Sequence, residues 1–360
     1  MKRIKFLNLL IIAFMLAASL FPAYAEETAE TVSVPEYETR LLSSLGIEIN
    51  YASAGVTRGE FALRLASVAG GYVNFAEQKE MIFSDVSLTQ ADSASITAVY
   101  KSGLMNGVGE GKFAPGASIS SQDAVVALVR LAGYEIMAKV HGGYPAGYIY
   151  AAYFSGITDA VTIGTEALTP QKLSTLLYNT LHTDVYQLAS VGDGEEYLTR
   201  EGEDVLALYH KIYRINARVT ANRFTSLVSP VTSCPDNCLE LDGELYTYNY
   251  QSGEDNLGFN VDAYYQKYSS DKRGNIISMY IGPEYNESIT VLSDDINSIL
   301  GNTVEVFVSE KTKKINVIKG FNLIYNGNVI QTAQWQTLKL PAVNLHLSIQ
   351  TAIRALKPLL

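Results

Sequence analysis

The sequence predicts an α+β protein: a mostly helical N-terminal half followed by an antiparallel β-rich domain. Three observations carry this. A helix–glycine–helix unit recurs three times between about residues 40 and 185. Beyond residue 195, short runs of Val, Ile, Tyr and Thr alternate with Gly, Asn and Asp. The composition, 48% hydrophobic, is rich enough to bury real cores in both halves.

Taken in order, residues 1–25 read as a secretory signal. Lys2, Arg3 and Lys5 make a positive start, and Phe6 to Leu20 is apolar except for Asn8 and Ser19. Ala23-Tyr24-Ala25 then places small residues where a signal peptidase cuts. The apolar run falls short of the ~20 residues of a membrane span, so cleavage is expected over an uncleaved anchor. Residues 26–39 read as a linker. Removing the signal takes the formal charge from −10 to −13, because it holds three positive and no negative residues. A chain this acidic repels nucleic acid, whose binding depends on Lys and Arg neutralising phosphates. No other stretch is long and apolar enough to cross a bilayer, and the remaining length suits two or three domains of ~100–200 residues.

The repeats are read from two shared elements. Ala98-Val99-Tyr100-Lys101-Ser102-Gly103-Leu104 is nearly repeated as Ala151-Ala152-Tyr153-Phe154-Ser155-Gly156-Ile157, with a fainter copy at Leu41-Leu42-Ser43-Ser44-Leu45-Gly46-Ile47. In each, an apolar helix stops at a glycine followed by an aliphatic residue, the pattern of a left-handed C′ cap. After each copy comes a helix opening: Thr57-Arg58-Gly59-Glu60-Phe61, Ser120-Ser121-Gln122-Asp123-Ala124 and Thr169-Pro170-Gln171-Lys172-Leu173. Thr or Ser is a good N-cap, Glu60 and Asp123 fall at the third helical position, and Pro170 is tolerated at the first. Leu65, Leu128 and Leu177 follow four residues after the opening apolar side chain, on the same helix face.

This pattern resembles the S-layer homology (SLH) domain, whose copies usually come in threes. The second copy carries the fullest match: Phe83-Ser84-Asp85-Val86 at its head, Gly103-Leu104 and Gly107 in its middle, and Phe113-Ala114-Pro115 in its loop. Gly142-Gly143-Tyr144-Pro145-Ala146-Gly147-Tyr148 resembles members from clostridia-like bacteria. The resemblance implies a pseudo-threefold trimer of repeats at 40–80 (partial), 81–140 and 141–190. It also implies a partner, a secondary cell-wall polysaccharide bearing acidic, often pyruvylated sugars, and a location at the cell wall or S-layer. The family's cation sits in a Thr-Arg-Ala-Glu-like motif, matched here by Arg58 but replaced by Ser121 and Pro170 in the other copies. A guanidinium fork suits a carboxylate. The candidate polysaccharide-binding residues are Arg58, Asp85, Gly103 and Lys172, the last as a substitute cation in the third copy. Each has a plainer reading: Arg58 as a solvated first-turn residue, Asp85 as an N-cap or loop-fixing acceptor, and Gly103, Gly107 and Gly156 as backbone geometry. The aromatic that usually follows the head Asp is missing near Ala91-Asp92.

The β-rich domain is expected over 191–330, led by an amphipathic helix from Asp204 to Ile215. Strands are expected at Leu245–Tyr250, Phe259–Tyr268, Ile276–Ile281 and Thr303–Val308, with turns at Asp242-Gly243, Arg273-Gly274-Asn275 and Asn326-Gly327. Cys234 and Cys238, the two cysteines, admit a short-loop disulfide or two free thiols, whereas a metal site lacks a second ligand pair. Residues 331–360 form an atypical tail. No Asp or Glu follows Glu310, and from Gln334 the text is unpatterned, as in a frameshifted or disordered remnant.

Chemistry is not asked for. Glu195-Glu196, Asp294-Asp295 and Asp271 do not read as the opposed pair a glycosidase needs. His141, His182, His210 and His346 lack the spacing of a zinc-protease helix, and no nucleophile elbow or phosphate loop occurs. The expectation is a secreted, non-catalytic surface protein without cofactor or metal, held to the wall by its repeats. Two alternatives stand beside it: an interaction module that has lost glycan binding, and a wall-acting hydrolase.

Overall fold

The computed structural model describes residues 34–73, 81–191, 195–200, 202–228, 233–248, 257–283, 285–291, 295–301, 303–308, 311–316, 323–325, 328–330 and 345–349. Every described residue lies within 34–360. The signal at 1–25, the linker up to Ser33, the Asn326-Gly327 turn and most of the tail therefore lie outside the described residues. The architecture is α+β.

Among the described residues seven α-helices come first: α1 Glu36–Ser44, α2 Arg58–Ala69, α3 Ser93–Lys101, α4 Ser121–Leu131, α5 Glu135–Val140, α6 Ala146–Phe154 and α7 Pro170–Leu181. Their starts follow from side-chain capping. Thr57 accepts from Glu60 N while Glu60 returns a bond to Thr57 N, a complete capping box. Ser120 accepts from Asp123 N, and Thr169 from Lys172 N. Their buried faces are set by the i, i+4 pairs Phe61/Leu65, Ala124/Leu128 and Leu173/Leu177, all in one core that runs through the helical region. Gly103 ends α3 at φ +72°, with Leu104 N reaching back to Val99 O at 2.9 Å. Gly46 repeats the geometry, with Ile47 N on Leu42 O. Gly107 serves a different need: a Cβ there would lie 2.7 Å from Lys112 O and 2.8 Å from the Phe83 ring.

Three buried residues just before the caps join the helical units. Ile119 N donates to Val56 O (3.1 Å), Leu168 N to Ile119 O (2.8 Å) and Val56 N to Leu168 O (2.9 Å), closing a ring of backbone hydrogen bonds. The ring pairs groups that burial would otherwise leave unsatisfied, and α2, α4 and α7 all start from it. No helix among the described residues is long and apolar enough to cross a membrane.

The strands follow. β1 Gln187–Val191 and β2 Glu195–Leu198 form an antiparallel hairpin. The helix expected from Asp204 to Ile215 is shorter than expected: it is a π-helix over Leu206–His210 that stops where Lys211 turns left-handed (φ +58°). Although the spacing of Leu206, Tyr209 and Ile212 fits a helix face, Ile212 already begins a strand, because it pairs with Gln266 across an antiparallel ladder. β3 Ile212–Ala221, β4 Cys238–Leu241, β5 Glu244–Thr247, β6 Asn260–Gln266 and β7 Asn275–Tyr280 close a barrel in the order β3-β4-β5-β7-β6. Its ladders are antiparallel except the β5–β7 closure at Thr247↔Asn275. Val219, Leu239, Leu241, Val261 and Ala263 fill its interior. Asp242 and Gly243, both at positive φ, make the tight β4–β5 turn.

Beyond the barrel, β8 Glu287–Val291, β9 Ile296–Leu300, β10 Thr303–Val308, β11 Lys311–Asn316, β12 Leu323–Tyr325, β13 Asn328–Ile330 and β14 Leu345–Ile349 form small antiparallel sheets. In β10 the buried Val304 and Val306 alternate with the exposed Phe307. Leu345–Ile349, inside the stretch that reads as unpatterned, is a strand paired with β8.

Candidate functional site

The first turns of α2, α4 and α7 meet loops of neighbouring units, and two of the sequence-derived candidates, Arg58 and Asp85, lie at the first of these seams. At the first seam Arg58, the first residue of α2, sends Nε to Phe113 O (2.9 Å) and Nη2 to Asn106 O (2.8 Å). Its guanidinium carbon stands 4.7 Å from the Phe113 ring centroid. Burial holds the Arg58 pKa below the usual arginine value, with Asp123 and Asp85 pulling the other way. Nη1 is left without a protein acceptor among the described residues, so it is the edge that can meet a carboxylate.

The opposite side of the same loop is held by Asp85. Its Oδ1 accepts from Phe113 N (2.9 Å) and its Oδ2 from Ala114 N (2.7 Å), and Ala114 sits at φ +57°. Burial would raise the Asp85 pKa, but these two N–H groups, with Lys112 nearby, keep it below the usual value. Arg58 and Asp85 thus clamp Phe113 through its carbonyl and its amide, and Phe83 packs against its ring in a tilted pair, centroids 5.3 Å apart. Asp85 fixes the loop.

A helix N-terminus attracts anions through unpaired N–H groups. Here those groups are spent on the neighbouring loop. Arg58 N donates to Ala117 O and Gly59 N to Pro115 O, while Glu60 N is capped by Thr57. At the second seam Gln122 N and Ser121 Oγ both donate to Gly164 O, and Gly164 N returns a bond to Ser121 Oγ. Discrimination at these seams therefore falls to side chains.

Lys172 sends Nζ to Thr162 O (2.9 Å), within its own unit. Gly103 lies at the end of α3, with open space where a Cβ would sit. The structure therefore joins Arg58 and Asp85 through one loop and sets Gly103 and Lys172 in separate places. At the third seam, between α7 and α1, Tyr51 donates to Ser174 Oγ (3.0 Å) and Thr175 to Glu38 Oε2 (3.1 Å).

Sequence reasoning did not single out the polar groups beside Arg58. Tyr144, 59% exposed, donates to Asp123 Oδ1 and accepts from Gln122 Nε2, both at 2.9 Å. Asp123 also acts electrostatically on Arg58. An exposed ring bonded to an amide and a carboxylate has the mixed apolar and polar character that sugar rings favour. The available signal was Tyr144 itself, inside a segment already marked by resemblance. A second omission is Arg130, which bonds Glu135 (3.1 Å) and Leu104 O (3.2 Å), with Tyr148 OH on the same Glu135 oxygen (2.8 Å). Burial would raise the Glu135 pKa, and the Tyr148, Lys139 and Arg130 contacts lower it on balance.

Cys234 and Cys238 are both buried thiols in one small cluster with Ala221. Burial pushes the Cys234 pKa up to about 11.

Comparison with known proteins bears on the same region. Residues 82–124 match the S-layer homology domain. They include Asp85, Gly103, Phe113 and the first turn of α4. A 218-residue stretch is 26% identical to the middle cell wall protein of Brevibacillus brevis, covering 56% of this chain and 20% of that protein. The chain thus spans about a fifth of the length of this curated relative.

Proposed function

We propose that this chain is an exported, non-catalytic surface protein, held non-covalently to the cell wall by three SLH repeats in a pseudo-threefold arrangement. The observation that carries the reading is the SLH match at 82–124, whose loop is clamped by Arg58 and Asp85. The closed ring through Val56, Ile119 and Leu168 supports three equivalent units. The similarity to a protein named for the cell wall supports the location.

The ligand in this reading is a secondary cell-wall polysaccharide with acidic sugars. Its carboxylate meets Nη1 of Arg58, and a neighbouring ring lies against Tyr144 and Gln122. Ser121 and Pro170 supply no charge at the corresponding places, so one groove carries most of the affinity. The test is co-sedimentation of the full chain with purified wall sacculi, before and after hydrofluoric acid strips the polysaccharide. Retention lost on stripping, and weakened by Arg58→Ala, is expected. Unchanged retention after stripping would refute glycan anchoring.

A second reading, a structural or protein-interaction module, is favoured by one observation. Two of the three nitrogens of Arg58 and the helix N–H groups beside it are already bonded to protein carbonyls. A mature protein that stays soluble in the presence of intact walls would establish that reading over the first.

A further inference from the structure

The helical region and the barrel meet across a buried polar contact centred on His182, just past the end of α7. His182 Nδ1 lies 2.8 Å from Tyr178 O. A carbonyl only accepts, so Nδ1 carries the hydrogen and Nε2 of the neutral ring is an acceptor. Tyr264 OH of β6 donates to that Nε2 at 2.8 Å, and Tyr178 OH stands 3.2 Å from Tyr264 OH. With its hydrogen committed to His182, Tyr264 accepts from Tyr178. The chain of donors runs one way, from Tyr178 through Tyr264 to His182 and back to the α7 backbone.

Charged and titratable groups face this contact from every element around it. Arg214 of β3 is bound twice to Asp262 of β6, both bonds 2.8 Å, and its guanidinium lies 5.9 Å from the Tyr264 ring centroid. Tyr37 of α1 packs on Tyr178 and on Tyr280 of β7. Arg40 of α1 reaches Met279 O in β7. The one carboxylate in the set, Asp262, is already committed to Arg214.

A second histidine sits at the same junction. His210, last residue of the π-helix, places Nε2 2.7 Å from Val68 O of α2. Its ring lies so close to Gly70 that a Cβ there would be 2.6 Å from Cε1. Tyr72 and the adjacent Tyr209 meet edge to face at 5.3 Å, and Gln266 of β6 donates to the His210 carbonyl (3.0 Å).

We propose that His182 is an acid-releasable latch that holds the barrel against the helical region while neutral and frees it when protonated. Protonation places a hydrogen on Nε2, directly opposite the Tyr264 hydrogen, and reverses the donor chain. It also adds a cation beside Arg214, where the carboxylate Asp262 is already bound to the guanidinium. Burial, with Arg214 adding to it, pushes the His182 pKa down to about 4, against the Tyr178 carbonyl and Asp262. Burial lowers His210 as well, against its bond to Val68. A depressed histidine pKa means the undocked state binds more protons. The docking contribution is therefore complete above pH 6.5, the ordinary value, and is lost as pH falls toward 4.

The test is small-angle scattering of the full chain from pH 7.5 to 3.5, with far-UV circular dichroism on the same samples. The expected result is a rise in radius of gyration below pH 6.5 while helical dichroism holds. His182→Gln keeps a donor and an acceptor but does not titrate, so it should move the expansion down by at least one pH unit. Tyr264→Phe removes the hydrogen that opposes a proton on Nε2 and should make the acid expansion shallower. Expansion at the wild-type pH in His182→Gln overturns the proposal, as does loss of helical dichroism in the same step as expansion. Should His182→Gln fail to fold, Tyr264→Phe decides alone: a shallower acid expansion supports the latch, and a transition as steep as wild type, whatever its midpoint, overturns it.

Discussion

Replacing Arg58 by alanine separates its structural work from its proposed ligand work. The side chain makes two hydrogen bonds to backbone carbonyls, at 2.9 and 2.8 Å, from a half-buried position. Each contributes about 0.5–1.5 kcal/mol. The Phe113 ring 4.7 Å from the guanidinium adds ~0.5–1 kcal/mol. Against this, a cation at the positive end of α2 costs ~0.3–1 kcal/mol, which alanine relieves. The net expectation is a loss of about 2 kcal/mol, or about 30-fold in the unfolding constant. Urea unfolding of the full chain followed at 222 nm reads it, since that signal is dominated by the helices. Arg58→Lys keeps the charge and its unfavourable position but cannot span both carbonyls, so it should lose about 1 kcal/mol. A change below about 0.5 kcal/mol in the alanine variant, or a lysine variant equal to wild type, would refute the clamp. Wall retention must then be compared at urea-free conditions where both variants are folded, so that lost binding is not lost structure.

Asp85→Asn turns one of two acceptors into a donor facing a backbone N–H and should cost ~1–3 kcal/mol in the same urea assay. Because the Asp85 pKa is depressed, its contribution stands above its ordinary value of 3.8 and is lost as pH falls through the folded value, so the variant should show a shallower acid transition. Gly103→Ala has room for its methyl but is held at φ +72°; a cost of ~1–2 kcal/mol with unchanged wall retention is expected, and lost retention in folded protein would make Gly103 a contact. Asp204, raised to about 6 by burial with Asp184 adding to it and its bond from Ala207 N opposing, behaves oppositely to Asp85: the folded state gains stability as pH falls from 6 toward 3.8. Asp204→Asn should therefore exceed wild type at pH 7 by roughly 1–2 kcal/mol, discounted for partial exposure, and converge with it near pH 4; equal stability at pH 7 would count against the buried charge.

Local signals in the sequence located what local chemistry determines. Thr57, Ser120 and Thr169 are N-caps because a hydroxyl three residues before an N–H is a short-range arrangement. Gly46, Gly103 and Gly156 all take positive φ, and the strands around Glu244–Thr247, Asn260–Gln266 and Asn275–Tyr280 follow β-branched and aromatic runs. The ring through Val56, Ile119 and Leu168 left no trace, because it is made by backbone groups that every residue carries. The acceptors of Arg58 were hidden for the same reason: they are carbonyls, 48 and 55 residues away in sequence. The barrel was not legible because its closure depends on the parallel meeting of Thr247 with Asn275, a register that alternation does not encode. Histidine was weighed for metal ligation, whereas His182 and His210 serve as neutral wedges between packed elements, a role set by burial and not by spacing.

Charge decides how a chain of formal charge −10 can hold an acidic polymer. The approach is repulsive, and that repulsion reaches ~30 Å at 0.01 M salt but only ~8 Å at 0.15 M. The proposed contact between Arg58 and a sugar carboxylate would act at hydrogen-bond distance, partly shielded from solvent, so moderate salt would screen it less. Retention on walls should therefore rise between about 10 and 150 mM salt and fall only toward about 1 M, where the screening length is ~3 Å. Polycation-driven binding behaves differently, weakening steadily with every increase in salt. The strand β11 supplies the obvious alternative, since Lys311, Lys313 and Lys314 are exposed on it and, among the described residues, one of the three, Lys314, pairs with a carboxylate, Glu305. A monotonic fall from the lowest salt upward would transfer the attachment to that strand, and neutralising those lysines, with Arg58 intact, would then abolish it.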